Sequence, residues 1–312
     1  MNRRAFIATV STGVAGAVLA PPVPAASERR RRAVAPAAGG RPAARVKKSV
    51  KLQMVEAGST TLEKFRLVQD IGFDGVELLS PNDLSRDEVL AARDETGLPI
   101  HGVVNSVHWD KPLSDPDPSV REAGVAGLRE ALADAEAYGA STVLLVPAVV
   151  NKQVPYDAAY ERSQAAIRDV LPDAERHGVR IALENVWNHF LLSPLECARY
   201  IDAFDSPWIG AYFDIGNIAN YGWPEQWIRI LGDRILKLDV KGYSRAVRDE
   251  RGPWDGFSDI GEGDIDWTAV TEALDDIGYD GWATAEVSGG DADRLRMIAR
   301  QMDRVLPVVG GE

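Results

Sequence analysis

From about residue 50 to residue 306 the chain alternates between two apolar patterns. Short runs such as TVLLV are hydrophobic at nearly every position, whereas longer segments carry apolar residues every three or four positions. The first pattern marks strands buried on both faces, and the second marks amphipathic helices. Strands are expected at 50–55, 74–79, 99–104, 142–147, 180–184, 208–214, 235–241 and 281–287. Helices are expected at 61–71, 86–96, 119–138, 156–177, 194–204, from about 224, 267–277 and 291–306; in the first, Leu62, Phe65, Val68 and Ile71 form the stripe. Eight strands alternating with eight helices predict an α/β protein with a (β/α)8 TIM barrel, occupying residues 49–312.

Four of these strands close on a carboxylate: Glu184, Asp214, Asp239 and Glu286. The carboxyl ends of barrel strands converge on one mouth, where sites are built, so the four acids should be crowded together. Crowded, partly dehydrated carboxylates cost several kcal/mol each unless compensated. A shared divalent cation is the simplest compensation; pairing of each acid with its own Lys or Arg is the alternative. The fourfold repetition at strand ends favours the shared cation.

Composition narrows the partners. The chain has 312 residues, 45% hydrophobic and 26% charged, as in ordinary globular proteins. A net charge of -12 repels phosphate backbones, so no nucleic-acid partner is expected. Cys197 is the sole cysteine, which excludes an intrachain disulfide and a thiolate metal cluster. The start of the chain differs from the rest: Arg3 and Arg4 precede an apolar stretch and small residues, the layout of a twin-arginine signal peptide over residues 1–26. Cleavage is expected between Ala20 and Ala26, export to the periplasm follows, and no stable membrane span should remain. Residues 27–48 are Ala, Pro and Arg with few large apolar side chains and read as a disordered linker.

Other positions invite a role. Glu77, near the end of the second strand, either faces the barrel interior, where it would contact substrate, or makes a salt bridge at the rim. His108 and Trp109, in the loop after the third strand, could hold a sugar by its hydroxyls and its C–H face, or lie at the surface. His101, inside that strand, reads as a core residue and His177 as a helix cap. The 242–264 segment is long, Gly-rich and charged, which suggests a lid. Neither a dinucleotide-binding glycine motif nor a G-x-S-x-G elbow occurs.

The stretches ALENVWNHF, SPWIGAYFDIGN, RILKLDVKGY, GEGDIDW and GYDGWATAEVS resemble the sugar phosphate isomerase/epimerase family, with its xylose isomerase-like barrel. The resemblance spans about residues 50–306 and is strongest to the L-xylulose 5-phosphate 3-epimerase and ketose 3-epimerase branches. It implies a divalent metal ion (Mn, Mg or Co) held by Glu184, Asp214, Asp239 and Glu286. The family has His at the third position, where this chain has Asp239. Ligation by oxygen alone favours hard ions such as Mg, Mn or Ca over zinc.

The implied reaction inverts the carbon beside the carbonyl of a keto sugar through a metal-bound enediolate, with Glu184 and Glu286 as the catalytic acid and base. Lys241 would steady the developing charge or bind a hydroxyl, or else pair with Asp239 or Glu286; Lys237, deeper in the strand, reads as structural. Asn185 and Asn217 would hydrogen-bond substrate or the acids themselves; His189 and Glu262 are weaker candidates. The expected partner is a small sugar, unphosphorylated if the chain is exported, and homo-oligomer formation is left open. A keto-sugar lyase or hydrolase, or a non-catalytic carbohydrate-binding protein, are the alternatives.

Overall fold

The computed structural model describes residues 45–308. In chain order the elements are β1 (Lys47–Lys51), α1 (Thr61–Ile71), β2 (Gly75–Ser80), α2 (Arg86–Thr96), β3 (Ile100–Asn105), α3 (Pro118–Tyr138), β4 (Thr142–Leu145) and α4 (Tyr156–His177). They continue with β5 (Arg180–Glu184), α5 (Pro194–Asp202), β6 (Ile209–Asp214), α6 (Ile215–Ala219), α7 (Pro224–Leu231) and β7 (Ile235–Val240). Last come β8 (Gly242–Tyr243), α8 (Arg245–Arg251), β9 (Phe257–Ser258), α9 (Trp267–Ile277), β10 (Trp282–Ala285) and α10 (Ala292–Val305).

Eight of these strands close into a parallel barrel in the order β1-β10-β7-β6-β5-β4-β3-β2, so the expected (β/α)8 architecture is present. Local chemistry sets the helix ends. Thr60 and Glu63 cap one another's backbone at the start of α1, and Gly72, with φ 93°, ends it in the left-handed region. Pro118 and Pro224 occupy first-turn positions, where the missing N–H costs nothing. Between the barrel and its helices lies the main core, with Phe65, Val68, Leu128, Leu132, Ile167 and Trp227 among its members. Inside the barrel the apolar cluster is small, centred on Leu144, Ala182 and Tyr212. The rest of the interior is polar.

Two expectations are corrected here. The first strand is Lys47–Lys51, not residues 50–55, and Val46 is fully buried, so the barrel reaches into the stretch read as linker. KKSVK lacks a hydrophobic run because its inward side chains are polar; the more apolar Leu52–Met54 forms a 3-10 turn instead. The 242–264 segment is not an irregular loop: β8 and β9 pair antiparallel, with α8 between them. The signal-peptide reading falls on residues 1–26, outside the described residues, as does nearly all of the linker.

Candidate active site: four carboxylates and two lysines

The barrel order places the carboxyl ends of β10, β7, β6 and β5 side by side. Glu286, Asp239, Asp214 and Glu184 therefore succeed one another around the mouth, with the two glutamates flanking the two aspartates. One carboxylate oxygen from each lies within 4.8 Å of those of the other three. Asp214 and Asp239 have no solvent exposure at all.

Three neighbours fix this arrangement. Asn185 donates to the Asp214 carbonyl (2.8 Å) and accepts from its N–H (2.9 Å), which straps β6 to the loop after β5. Asp214 caps α6 by accepting from the Asn217 N–H at 2.7 Å. The Asn217 amide donates to the Asn185 carbonyl (3.0 Å) and reaches Glu184 Oε1 at 3.4 Å. Both asparagines, expected at the substrate or at the acids, thus act on the acids. Lys241 Nζ lies 2.8 Å from Asp214 Oδ2 and also contacts Glu286 Oε2. Its stem passes over Gly216, where a Cβ would come within 2.3 Å of Lys241 Cγ, so this glycine makes room for the lysine.

Lys51 is a site residue that the sequence reading did not find. Its ammonium sits 3.1 Å from Asp239 Oδ2 and also contacts Glu286 Oε1. As the last residue of β1 it obeys the same strand-end logic as the acids; the misplaced first strand concealed it. The cluster therefore holds four carboxylates and two ammoniums, a formal excess of two negative charges. Each acid does not have its own cation: Glu286 takes both lysines, Asp214 and Asp239 take one each, and Glu184 touches neither.

The electrostatics follow from burial and this imbalance. Burial, with Glu286 and Asp214 nearby, pushes Glu184 up to about 8. Burial also pushes Asp214 up to about 7 despite Lys241, and holds Asp239 well above the carboxylate range. Glu286 goes the other way, because Lys51 and Lys241 outweigh its burial. Burial would lower the Lys51 and Lys241 ammoniums, but the surrounding acids reverse that and keep both charged.

The donor set fits a divalent cation. All four donors are oxygens, which suits Mg or Mn. Among the described residues Asp239 Oδ1 is buried without a hydrogen-bond partner, and the formal excess charge equals that of one such ion. An unpaired buried carboxylate oxygen is costly enough to ask for an occupant.

The remaining expected residues divide into those at the mouth and those below it. His108 is buried, and its Nδ1 accepts from the Val146 N–H at 3.3 Å, which makes Nε2 the protonated nitrogen. Burial, with Lys51 nearby, lowers its pKa to about 4, so it is neutral. Trp109 meets its ring edge-on at 5.6 Å and is 48% exposed. Glu77, expected among the substrate contacts, is instead sealed in the barrel with no exposure, accepting from the Tyr212 hydroxyl at 3.0 Å. His101 is the core residue expected, stacked on Trp282 with centroids 4.4 Å apart. Lys237 contacts His101 Nδ1 at 2.7 Å, a structural role as read. His189 and Glu262 are exposed.

The segment after β7 covers one side of the mouth through aromatic rings. Trp187, from the loop after β5, stacks on Phe257 at 4.8 Å and packs against Trp254 at 4.7 Å. Lys241 Nζ lies 4.8 Å from the Phe257 ring centre, which joins this cover to the charged cluster.

Comparison with known proteins agrees with the barrel. The model of the xylose isomerase-like TIM barrel family matches residues 65–306. L-ribulose-5-phosphate 3-epimerase UlaE of Escherichia coli O1:K1 / APEC is 28% identical over 239 residues, covering 72% of this chain and 81% of that protein. The apo structure of 3-keto-D-glucoside 4-epimerase YcjR from E. coli superposes with a TM-score of 0.69 at 19% identity, covering 84% of this chain and 99% of that one. D-psicose 3-epimerase with D-tagatose, from Clostridium cellulolyticum H10, gives 0.63 at 21% identity, covering 80% and 89%. On the extent of the family match, the chain belongs to the xylose isomerase-like TIM barrel family.

Proposed function

We propose that this protein is a divalent-metal-dependent isomerase that epimerises a keto sugar at the carbon beside its carbonyl. The observation that carries the reading is the convergence of Glu184, Asp214, Asp239 and Glu286 at one end of the barrel, with two negative charges left uncompensated by lysine. The epimerase names of the relatives, two of them acting on ketoses or ketose phosphates, support it. Those four side chains would hold the cation, which supplies Lewis-acid polarisation of a carbonyl and makes the neighbouring C–H more acidic.

The chain's own groups then divide the work. Glu184 and Glu286 flank the aspartates, so they can address opposite faces of a sugar carbon: one removes a proton and the other returns one. Lys241 stands against Glu286 beside Asp214 and is placed to meet negative charge that grows on a substrate oxygen. His108, neutral with its Nε2 protonated, is a hydrogen-bond donor for a hydroxyl, and Trp109 offers a half-exposed ring face. Glu77 is left out of the substrate set because it is sealed below.

Periplasmic export by the twin-arginine leader is part of the same proposal, and with it an unphosphorylated substrate, since sugar phosphates are largely cytosolic. Fractionation of cells tests the location. The reaction is tested by incubating keto sugars, free and phosphorylated, in deuterium oxide with the metal-loaded protein. Deuterium should enter the carbon beside the carbonyl with inversion, and a chelator should abolish it. Chain cleavage or dehydration would favour a lyase, whereas sugar binding with neither exchange nor turnover would favour a carbohydrate-binding protein.

A further inference from the structure

Glu286 would meet a cation only in competition with lysine, because each of its oxygens already meets an ammonium: Oε1 that of Lys51 and Oε2 that of Lys241. Asp239 is half engaged, with Lys51 at Oδ2 and, among the described residues, no hydrogen-bond partner at Oδ1. The two lysines are not equivalent. Lys241 has a ring partner in Phe257 and a second acid in Asp214, so it remains anchored if Glu286 is withdrawn. Among the described residues Lys51 has only Asp239 and Glu286 as hydrogen-bond partners for its ammonium, and its side chain is 8% exposed.

We propose that Lys51 is a resident counter-ion of the carboxylate cluster, whose ammonium holds Asp239 and Glu286 together and competes with the divalent cation for them. The inference rests on the reading of this cluster as a cation site. It assigns β1 a part in the site and makes the cation exchangeable rather than locked in. A fixed positive charge beside a cation weakens binding through Coulomb repulsion, and more so where water is excluded. Loss of a merely structural lysine would leave the acids splayed and the cation bound more loosely, which is the opposite sign.

The test is titration of Mn2+ into the metal-stripped full chain by calorimetry, for the wild type, Lys51→Met and Lys51→Arg. Lys51→Met should bind Mn2+ at least ~10-fold more tightly, while Lys51→Arg, which keeps the charge, should stay within about 3-fold of the wild type. Metal-free Lys51→Met should also melt below the metal-free wild type, and Mn2+ should close the gap. Unchanged or weaker binding by Lys51→Met overturns the proposal while leaving the cation site standing. Absence of Mn2+ binding in the wild type overturns the cation reading itself, and the proposal with it. If Lys51→Met does not fold, Lys51→Arg decides: retained affinity supports the counter-ion role, and a loss beyond ~10-fold shows that side-chain shape matters and overturns it.

Discussion

Two polar layers lie inside the barrel, contributed by the same strands two residues apart. The upper layer holds Lys51, Glu286, Asp239, Asp214 and Glu184; two positions earlier on those strands stand Ser49, Thr284, Lys237, Tyr212 and Ala182. In the lower layer the polar groups form a chain of neighbours. Tyr212 bonds Glu77 and, at 2.8 Å, Thr284; Thr284 meets Ser49 at 2.9 Å and His101 Nε2 at 3.3 Å; His101 in turn meets Lys237. One carboxylate there faces one lysine, whose pKa burial lowers to about 7. In the upper layer four acids face two lysines. Burial is nearly complete in both apart from Glu286, whose side chain is 32% exposed at the mouth, so what separates a structural layer from a candidate active site is chiefly the charge balance, with the excess at that end.

The largest break in that comparison should come from Glu184→Gln and Glu286→Gln. Each removes a proton-transfer group while nearly keeping its shape, and deuterium exchange should fall by about 10²–10⁴-fold, read by NMR of the recovered sugar. Disturbing the lower layer should have a different signature. Tyr212→Phe leaves Glu77 Oε1 without its hydroxyl donor, so the protein should lose roughly 1–3 kcal/mol in denaturant unfolding while its Mn2+ affinity changes little.

The charge excess also sets a pH dependence. Without a cation, Glu184 sits near 8 against an ordinary 4.5, and Asp214 near 7 against 3.8. A carboxylate raised in the folded state binds more protons there than in the unfolded chain, so folding stability falls as pH rises between those two values. The metal-free melting temperature should therefore drop from mildly acidic to mildly alkaline pH, with a flatter profile once Mn2+ is present. Glu286 acts in reverse: its depressed pKa contributes stability above the ordinary carboxylate range that is lost as pH falls through and below it. Mn2+ binding near neutral pH should release protons from the raised acids Glu184, Asp214 and Asp239, about three at most, measurable by calorimetry in buffers of different ionisation enthalpy.

The smallest effect is expected at the aromatic cover. Phe257→Leu removes the ring beneath Lys241 and the stacking on Trp187, a change of about 0.5–2 kcal/mol. It should loosen the 242–264 segment and raise KM for the sugar with little change in kcat.

The barrel was legible because seven of its strands are apolar runs set off by helical periodicity, and all four acids were legible because each terminates such a run. β1 was not, because KKSVK turns Ser49 and Lys51 into the barrel and Lys48 towards Asp303, so hydrophobicity pointed a few residues downstream. Losing the true end of β1 concealed Lys51, and with it the sharing of two lysines among three acids. Glu77 could be placed inside the barrel by alternation, but not in depth, since depth depends on strand register. The hydrogen bonds of Asn185 to Asp214 likewise depend on a loop folding back across β6, which no periodicity records.

The central claim is that the acids closing β5, β6, β7 and β10 bind one cation in common. Anomalous X-ray scattering from crystals grown with Mn2+ tests it most directly. A single anomalous peak at the barrel mouth, in bonding contact with an oxygen from each of Glu184, Asp214, Asp239 and Glu286, is the predicted result. A mouth without a peak, in which Lys51 and Lys241 keep the contacts they have here, would contradict it.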